Sequence, residues 1–467
     1  MLHRQRLALF ALPVLLVIGL FVAACAGASP AAPAAPASAP AGRAAATSAP
    51  AAQAAAPSAA GAVDLDFYYP VAVPGPITQI LDKYAADFQK ENPNINVKPV
   101  LAGSYQDALT KIQTTVQGGG APPALAVLLS TDMWSLIDAD AIVPLDNCIS
   151  TIGGDAYLKD FFPAFMANSQ AQGKTWGIPF QRSTPVLYYN KDAFKEAGLD
   201  PEKPPKNWDE LVAMSQKLTK KDAQGQVTRW GIQIPSDGFP YWMFQGFAIE
   251  AGKNIVGDSA TEVYFNTPEV KRALEFWASL STKHNVMQPG VIAWATTPND
   301  FTAGKTAMMY HTTGSLTNVL KQAQFPVGVA FMPADKGYGA PTGGGNLYIF
   351  KNAPKEKQDA ACKFIQFLTS PERAAQWSID TGYVATRNSA YDTQAMKDHA
   401  AKNPQYLIAR DQLQYAQREL GTHAAPQLQQ ALGNNIQAVI AGKKTADQAM
   451  QDGQAEADRI LKQFKQQ

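Results

Sequence analysis

Apolar and polar positions alternate from Val63 to Tyr69, which is the period of a strand with one buried face. From Ile77 to Phe88 the apolar residues recur three and four positions apart, which predicts a helix that ends at Asn92-Pro93. Three further elements follow: a strand at 95–100, a helix at 106–116 and a buried strand at 124–130. This alternation of strands and helices predicts an α/β fold with a largely parallel sheet.

A second region of mixed elements begins with a predicted strand at Val186–Tyr189. Asn207 stands three residues before Glu210, which is the spacing of a helix N-terminal cap. Thr267-Pro268 opens another predicted helix, since proline is tolerated in the first turn. The C-terminal part is predicted to be helical at 355–368, 372–379 and 446–464.

The N-terminus has the pattern of a targeting segment. Arg4 and Arg6 precede an apolar run at 7–24, and small residues lead directly to Cys25. This arrangement resembles the bacterial lipobox, which implies a signal peptide at 1–24 and a lipidated Cys25. An uncleaved membrane anchor and simple secretion are the alternatives. The prediction is an exported protein, lipid-anchored to the cell membrane and facing the periplasm or the cell exterior.

Residues 25–62 are predicted to form a disordered tether behind that anchor. Residues 26–62 contain 21 Ala, 6 Pro, 4 Ser and 3 Gly among 37 residues. Alanine favours helix, but proline recurring every few residues prevents its continuation.

The charge balance changes once this N-terminal part is set aside. The chain of 467 residues has 40 Lys and Arg against 39 Asp and Glu, and residues 63–467 have 37 against 39. A basic surface for nucleic acid or anionic lipid is therefore not indicated. A segment of this length is too long for one compact core, so we expect two lobes.

Cys148 and Cys362 both lie in apolar stretches, and we expect two separate buried thiols. An exported compartment would also permit a disulfide between them.

Catalytic and cofactor motifs are absent from the sequence pattern. The histidines after residue 62 have no metal-ligand spacing, and the Gly-Lys-Thr triplets at 173–175 and 304–306 lack the glycine that a phosphate loop needs five residues earlier. We therefore expect no enzyme, no metal and no cofactor, although a catalytic triad assembled in space is not excluded by spacing.

The segment Ser183–Phe194, with Tyr188-Tyr189-Asn190-Lys191 at its centre, carries a family resemblance that continues to Trp208. Further matches lie in the same order: Glu91-Asn92-Pro93, Gly103-Ser104-Tyr105, Thr313-Gly314-Ser315-Leu316, Thr381-Gly382-Tyr383 and Gly442-Lys443-Lys444-Thr445. The chain resembles the extracellular solute-binding proteins of bacterial ABC importers over residues 63–467, and most closely the members that bind sn-glycerol 3-phosphate.

The resemblance implies a two-lobed periplasmic-binding-protein clamp, type II-like, with the ligand in the cleft. Its chain would cross between the lobes three times, near Ile178–Val186, Tyr310–Gly314 and Gly343–Leu347. Residues 63–180 and 314–345 would form lobe I, and residues 186–310 and 348–467 would form lobe II.

The resemblance also implies a set of ligand-binding residues: Tyr105, Ser183, Thr312, Gly344 and Tyr383. Hydroxyl groups and a glycine backbone N–H suit phosphate or sugar oxygens. Two positions depart from the family pattern, because Leu129 replaces a carboxylate and Gln429 replaces an arginine that faces phosphate.

Four further positions have an open role. Arg182, beside Ser183, is a hypothetical substitute for the missing arginine. Tyr241 and Trp242 align with an aromatic loop, and either a stacking wall or ordinary core is expected of them. His311 is expected to be a structural histidine.

The resemblance implies a receptor for glycerol 3-phosphate or a related glycerophosphodiester, served by a two-subunit membrane permease with its ATPase. A receptor for a neutral mono- or oligosaccharide is the main alternative, favoured by Leu129 and Gln429. An exported hydrolase and a structural surface lipoprotein are the remaining ones.

Overall fold

The structure is a computed structural model that describes residues 61–465. The predicted signal peptide at 1–24, the lipidation site Cys25 and nearly all of the predicted tether lie outside these residues. Within residues 61–465, no helix has both the length and the apolar character needed to span a bilayer.

The strands of this region are β1 (Val63–Tyr69), β2 (Ile95–Leu101), β3 (Leu125–Leu129), β4 (Gln170–Ala171), β5 (Lys174–Thr175), β6 (Ile178–Ser183), β7 (Pro185–Asn190), β8 (Lys220–Lys221), β9 (Val227–Arg229), β10 (Met308–Thr312), β11 (Val327–Ala330), β12 (Ala340–Pro341), β13 (Gly343–Ile349) and β14 (Ala416–Gln417).

The helices are α1 (Ile77–Glu91), α2 (Tyr105–Gln117), α3 (Met133–Asp138), α4 (Asp146–Ile152), α5 (Gly154–Lys159), α6 (Pro163–Met166), α7 (Lys191–Glu196), α8 (Trp208–Leu218), α9 (Pro240–Glu250), α10 (Pro268–Thr282), α11 (Thr297–Thr302), α12 (Leu316–Gln322), α13 (Lys355–Leu368), α14 (Pro371–Thr381), α15 (Gln394–Lys402), α16 (Gln405–Gln412), α17 (Ala425–Ile440) and α18 (Ala446–Leu461).

The larger sheet has five strands in the order β2-β1-β3-β13-β6. Strands β1, β2 and β3 are parallel, as predicted, while β13 pairs antiparallel with both β3 and β6. Every residue of β3 is buried, because helices cover both faces of the sheet.

A second, smaller sheet has the order β10-β7-β11 and is antiparallel. Thr184 alone separates β6 of the first sheet from β7 of the second. Its hydroxyl donates to the Pro341 carbonyl at 3.1 Å and accepts from the Gln412 amide at 3.1 Å. The chain therefore passes from one sheet to the other through a buried and fully anchored residue.

The predicted helix starts are confirmed where the sequence carries a cap. The Asn207 side chain accepts from the backbone N–H of Glu210, and the Thr267 side chain accepts from Val270. Helix α9 was missed because all its residues are buried, so it lacks the polar face that gives a helical period. Helix α17 was missed as well.

The packing departs in part from the predicted lobe boundaries. Helix α13, assigned to lobe II, packs on the core of the five-stranded sheet. Strand β11, assigned to lobe I, pairs with β7 in the second sheet. An amphipathic pattern shows that a face is buried but not which sheet buries it. The other boundaries and the three crossings stay predictions.

The expectation of two separate thiols is wrong, since Cys148 and Cys362 form a disulfide with their Cα atoms 5.7 Å apart. Cys148 lies on α4 and Cys362 on α13, and both helices pack on the core of the five-stranded sheet. The two cysteines are 214 residues apart in sequence, so their apolar surroundings did not reveal the pairing.

We predict that this disulfide stabilises the fold by about 2 to 4 kcal/mol, because it closes a long loop in the unfolded chain. Urea unfolding should show a lower midpoint for the Cys148→Ser/Cys362→Ser double variant than for the wild type. Reductant should lower the wild-type midpoint and leave that of the double variant unchanged. Equal midpoints for oxidised and reduced wild type would contradict the prediction.

Candidate functional site

Two adjoining cavities lie between the five-stranded sheet on one side and helices α9 and α17 on the other. The larger has a volume of about 600 Å³, and the inner one, of about 30 Å³, has room for one small chemical group. They share a wall made of Ala72, Val73, Tyr105, Leu129, Phe239, Tyr241 and Trp294.

The residues expected to bind ligand meet at the inner cavity, although they come from five separate parts of the chain. They are Tyr105, Ser183, Thr312, Gly344 and Tyr383. Their convergence is a structural finding, and their role in binding stays a prediction.

Tyr105 is placed by the start of α2, where Ser104 and Asp107 form a reciprocal capping box. Its hydroxyl donates to the Gln181 side chain at 2.9 Å. Burial raises the pKa of Tyr105 well above its ordinary value, and burial likewise raises the pKa of Tyr383. Both hydroxyls therefore stay protonated, and the single proton of Tyr105 is already donated to Gln181.

Gly344 is required by a close approach between β13 and β6. Its φ is +89°, and a Cβ at this position would lie 1.9 Å from the Gln181 carbonyl oxygen. A larger residue would push the strands apart at the point where the residue 344 backbone borders the inner cavity. The backbone N–H of Val384 donates to the Arg182 carbonyl at 2.9 Å, which holds Tyr383 close to Ser183.

Thr312 ends β10 and borders the inner cavity from the second sheet. Its side-chain oxygen accepts from the Gly314 backbone at 3.1 Å, and its carbonyl accepts from the Tyr188 hydroxyl at 2.8 Å. Tyr188 is otherwise a core residue of β7.

Aromatic rings form one side of both cavities. Tyr241 and Trp242, on the first turn of α9, line the inner cavity while the rest of the helix fills the core. Trp294, which the sequence analysis missed, lies 5.0 Å from Phe239 and 6.1 Å from Trp242 between ring centroids. Its indole N–H donates to the Ala72 carbonyl at 3.1 Å. The aromatic loop therefore serves both as wall and as core.

Arg182 is fully buried and is not among the residues that line either cavity. Its guanidinium donates to Asn346 Oδ1 at 3.1 Å and to Thr342 Oγ1 at 3.2 Å. Gln429 lines the larger cavity, with its amide donating to the Leu420 carbonyl at 3.1 Å. Arg182 and Gln429 therefore lie apart from the five residues that meet at the inner cavity.

His311 borders the larger cavity and is fully buried, and its structural role stays a prediction. Its ring nitrogens contact the Trp294 carbonyl at 3.2 Å and the Ser315 hydroxyl at 3.1 Å. Burial lowers the pKa of His311 to about 3, so the imidazole is neutral at physiological pH.

Glu419 is a cavity residue that the sequence analysis missed, since it lies in an irregular segment between β14 and α17. Its carboxyl accepts from the Tyr241 hydroxyl at 3.0 Å and from the Ser130 hydroxyl at 3.4 Å. Burial raises the pKa of Glu419 to about 7, and the positive charge of Arg182 opposes that rise.

A metal site is not found in the described part of the chain, where no three His, Cys, Asp or Glu side chains are grouped to hold an ion. What the site offers is a set of hydroxyls, amides, backbone groups and aromatic faces. Such a surface suits the binding of a polar small molecule.

Comparison with known proteins identifies the family of the chain. Residues 83–405 match the family described as bacterial extracellular solute-binding protein. The sn-glycerol-3-phosphate-binding periplasmic protein UgpB of Salmonella typhimurium is 30% identical over 403 residues, covering 84% of this chain and 91% of the relative.

Solved structures share the fold over most of both chains. UgpB from Mycobacterium tuberculosis in complex with glycerophosphocholine has a TM-score of 0.77 at 24% identity, covering 86% of this chain and 100% of that one. Maltose-bound MalE3 of T. maritima has a TM-score of 0.75 at 22% identity, covering 85% and 100%. The α/β periplasmic-binding-protein fold is confirmed.

Family match, coverage and fold agree with each other. The chain therefore belongs to the bacterial extracellular solute-binding proteins, the exported and non-enzymatic components of ABC importers that bind a small solute.

Proposed function

We propose that this protein is the receptor of an ABC importer for glycerol 3-phosphate or a related glycerophosphodiester. The observation that carries the proposal is the convergence of Tyr105, Ser183, Thr312, Gly344 and Tyr383 at one inner cavity. The relative with 30% identity supports it, because it is named for binding sn-glycerol 3-phosphate.

The chemistry of the wall suits a phosphorylated polyol. Hydroxyl groups of Ser183, Thr312 and Tyr383 donate to phosphate or polyol oxygens, and Gly344 allows close approach of the main chain. Trp294 and Trp242 present flat apolar surfaces to the carbon backbone of the ligand. Recognition of this kind needs no resident metal or cofactor.

The cavity volume favours the larger members of the proposed ligand class. The larger cavity, at about 600 Å³, falls in the range of sites for ligands of drug size. A glycerophosphodiester uses more of that space than glycerol 3-phosphate, with one end in the inner cavity and its second substituent in the larger one.

Closure of a clamp around the ligand is part of the proposal. Several contacts bridge the two sides of the cleft, among them Trp294 to the Ala72 carbonyl, and the His423 ring to the Asp138 carboxylate at 2.7 Å. A ligand that contacts both sides binds the closed form more tightly than the open one, which shifts the population toward closure. The closed form is then presented to a two-subunit permease and its ATPase, with the receptor held at the membrane by a lipid on Cys25.

A neutral mono- or oligosaccharide is the second candidate ligand. The specific observation in its favour is that Leu129 and Gln429 line the cavities where the family pattern has a carboxylate and an arginine. Aromatic and amide side chains also suit sugar rings.

We predict that a glycerophosphodiester raises the thermal unfolding temperature more than maltose does. A ligand at 100 times its dissociation constant stabilises the native state by about 2.7 kcal/mol. Thermal-shift measurements with glycerol 3-phosphate, glycerophosphoglycerol and maltose at equal concentrations check this. Stabilisation by maltose alone would replace the lead with the sugar candidate.

We also predict that Ser183→Ala weakens binding of the best ligand by about tenfold, because one hydrogen bond to a charged oxygen is lost. Isothermal titration calorimetry gives the change. Ser378→Ala is the matched control, since Ser378 is equally buried but lies on α14 away from the cavities. Full affinity in Ser183→Ala would refute the assignment of this wall.

A further inference from the structure

Glu419 has a position that the proposed function leaves unexplained. Among the described residues that line the two cavities, it is the one Asp, Glu, Lys or Arg side chain. It is 1% exposed, and it lines the same small inner cavity as Ser183 and Tyr383. A carboxyl group in such a place must influence which ligand groups enter.

The backbone of Glu419 is held by the side chain of Asn168. Its N–H donates to Asn168 Oδ1 at 2.9 Å, and its carbonyl accepts from Asn168 Nδ2 at 3.2 Å. The carboxyl group is oriented in turn by the hydroxyls of Tyr241 and Ser130. An ionised carboxylate has about four acceptor sites, so these two donors leave acceptor capacity toward the cavity.

The charges that face Glu419 do not leave a free cation for an anionic ligand. Arg182 faces it from β6 but stays behind the wall, donating to Asn346 and Thr342. Asp132 faces it from the turn before α3, and burial together with the Glu419 charge raises the pKa of Asp132 to about 8. The cavity side of this group is therefore negative or neutral.

Ligand charge and ligand hydroxyls respond to such a site in opposite ways. Hydroxyl groups donate to the carboxylate, and those charge-assisted hydrogen bonds are strong. A phosphate monoester carries close to two negative charges above its second pKa near 6, and like charges repel strongly in a buried site. A phosphodiester of the same polyol carries one negative charge and keeps the glycerol hydroxyls.

We infer that Glu419 is a specificity-determining residue: its carboxylate accepts hydrogen bonds from ligand hydroxyls and disfavours phosphate monoesters, so that the cleft selects singly charged glycerophosphodiesters. This inference rests on the proposed function and narrows its ligand class. Glu419 also places a carboxylate near Leu129, because its carboxyl accepts from Ser130, the residue that follows Leu129.

The test compares sn-glycerol 3-phosphate with its methyl phosphodiester, a pair that differs by one methyl group and about one charge. Calorimetric titration at about pH 8 keeps the monoester doubly charged. The wild-type protein should bind the diester about tenfold more tightly, and Glu419→Gln should reduce that preference to about threefold or less. Glu419→Asp, which retains the charge, should keep the preference.

Glu250→Gln is the matched control, since Glu250 is a fully buried carboxyl on α9 that lines neither cavity. It accepts a hydrogen bond from the Trp208 indole at 2.9 Å. Its preference should equal that of the wild type. Far-UV circular dichroism checks the fold of each variant, and the ratio of two affinities does not depend on the active fraction.

The two hypotheses fail in different ways. If the wild type binds both esters without preference, or Glu419→Gln keeps the tenfold preference, the role of Glu419 is refuted and the proposed function stands. If neither ester binds the wild type while a neutral sugar does, both are refuted. If Glu419→Gln does not fold, equal binding of the two esters by the wild type still refutes the inference.

Discussion

The fully buried guanidinium of Arg182 is the constraint on which the architecture of the cleft depends. A buried charge is tolerated only when acceptors and an opposite charge surround it. Asn346 and Thr342 supply the acceptors, Asn346 in turn donates to the Asn168 carbonyl at 3.0 Å, and Asn168 holds the Glu419 backbone. One charged group thus ties together β6, β13, the segment after α6 and the segment before α17.

This network also sets the chemistry of the cavity. Arg182 is held in the interior by Asn346 and Thr342, and Glu419 lines the inner cavity, so this wall presents a carboxyl acceptor and, among the described residues, no cation. The rest of the cavity lining offers hydroxyl groups, amide groups and aromatic rings. A site of this composition is suited to a polar solute, and Gly344 brings β13 close to β6 beside the inner cavity.

Much of the fold was predictable because local signals were strong. The alternation in β1, the period of α1 and the caps of α8 and α10 are each written in a few adjacent residues. Helix α9 has no polar face, and so its period was invisible. The disulfide joins two helices whose cysteines are 214 residues apart in sequence, and no local pattern marks such a pairing.

The site was predictable only where the family resemblance reached it. Ser183 and Tyr383 are ordinary residues in sequence, and the tertiary contact of Val384 with Arg182 makes them neighbours. Glu419 and Trp294 lie in irregular segments, where neither period nor motif marks a functional residue. Arg182 was adjacent to a predicted site residue, but strand alternation directs its side chain away from the cavity.

The central claim is that this cleft holds a phosphorylated glycerol compound. Native mass spectrometry of protein purified gently from its own cells tests it most directly, because a tight ligand stays bound. The account predicts an added mass equal to a glycerophosphodiester or glycerol phosphate. An added mass equal to a hexose or an oligosaccharide would contradict it.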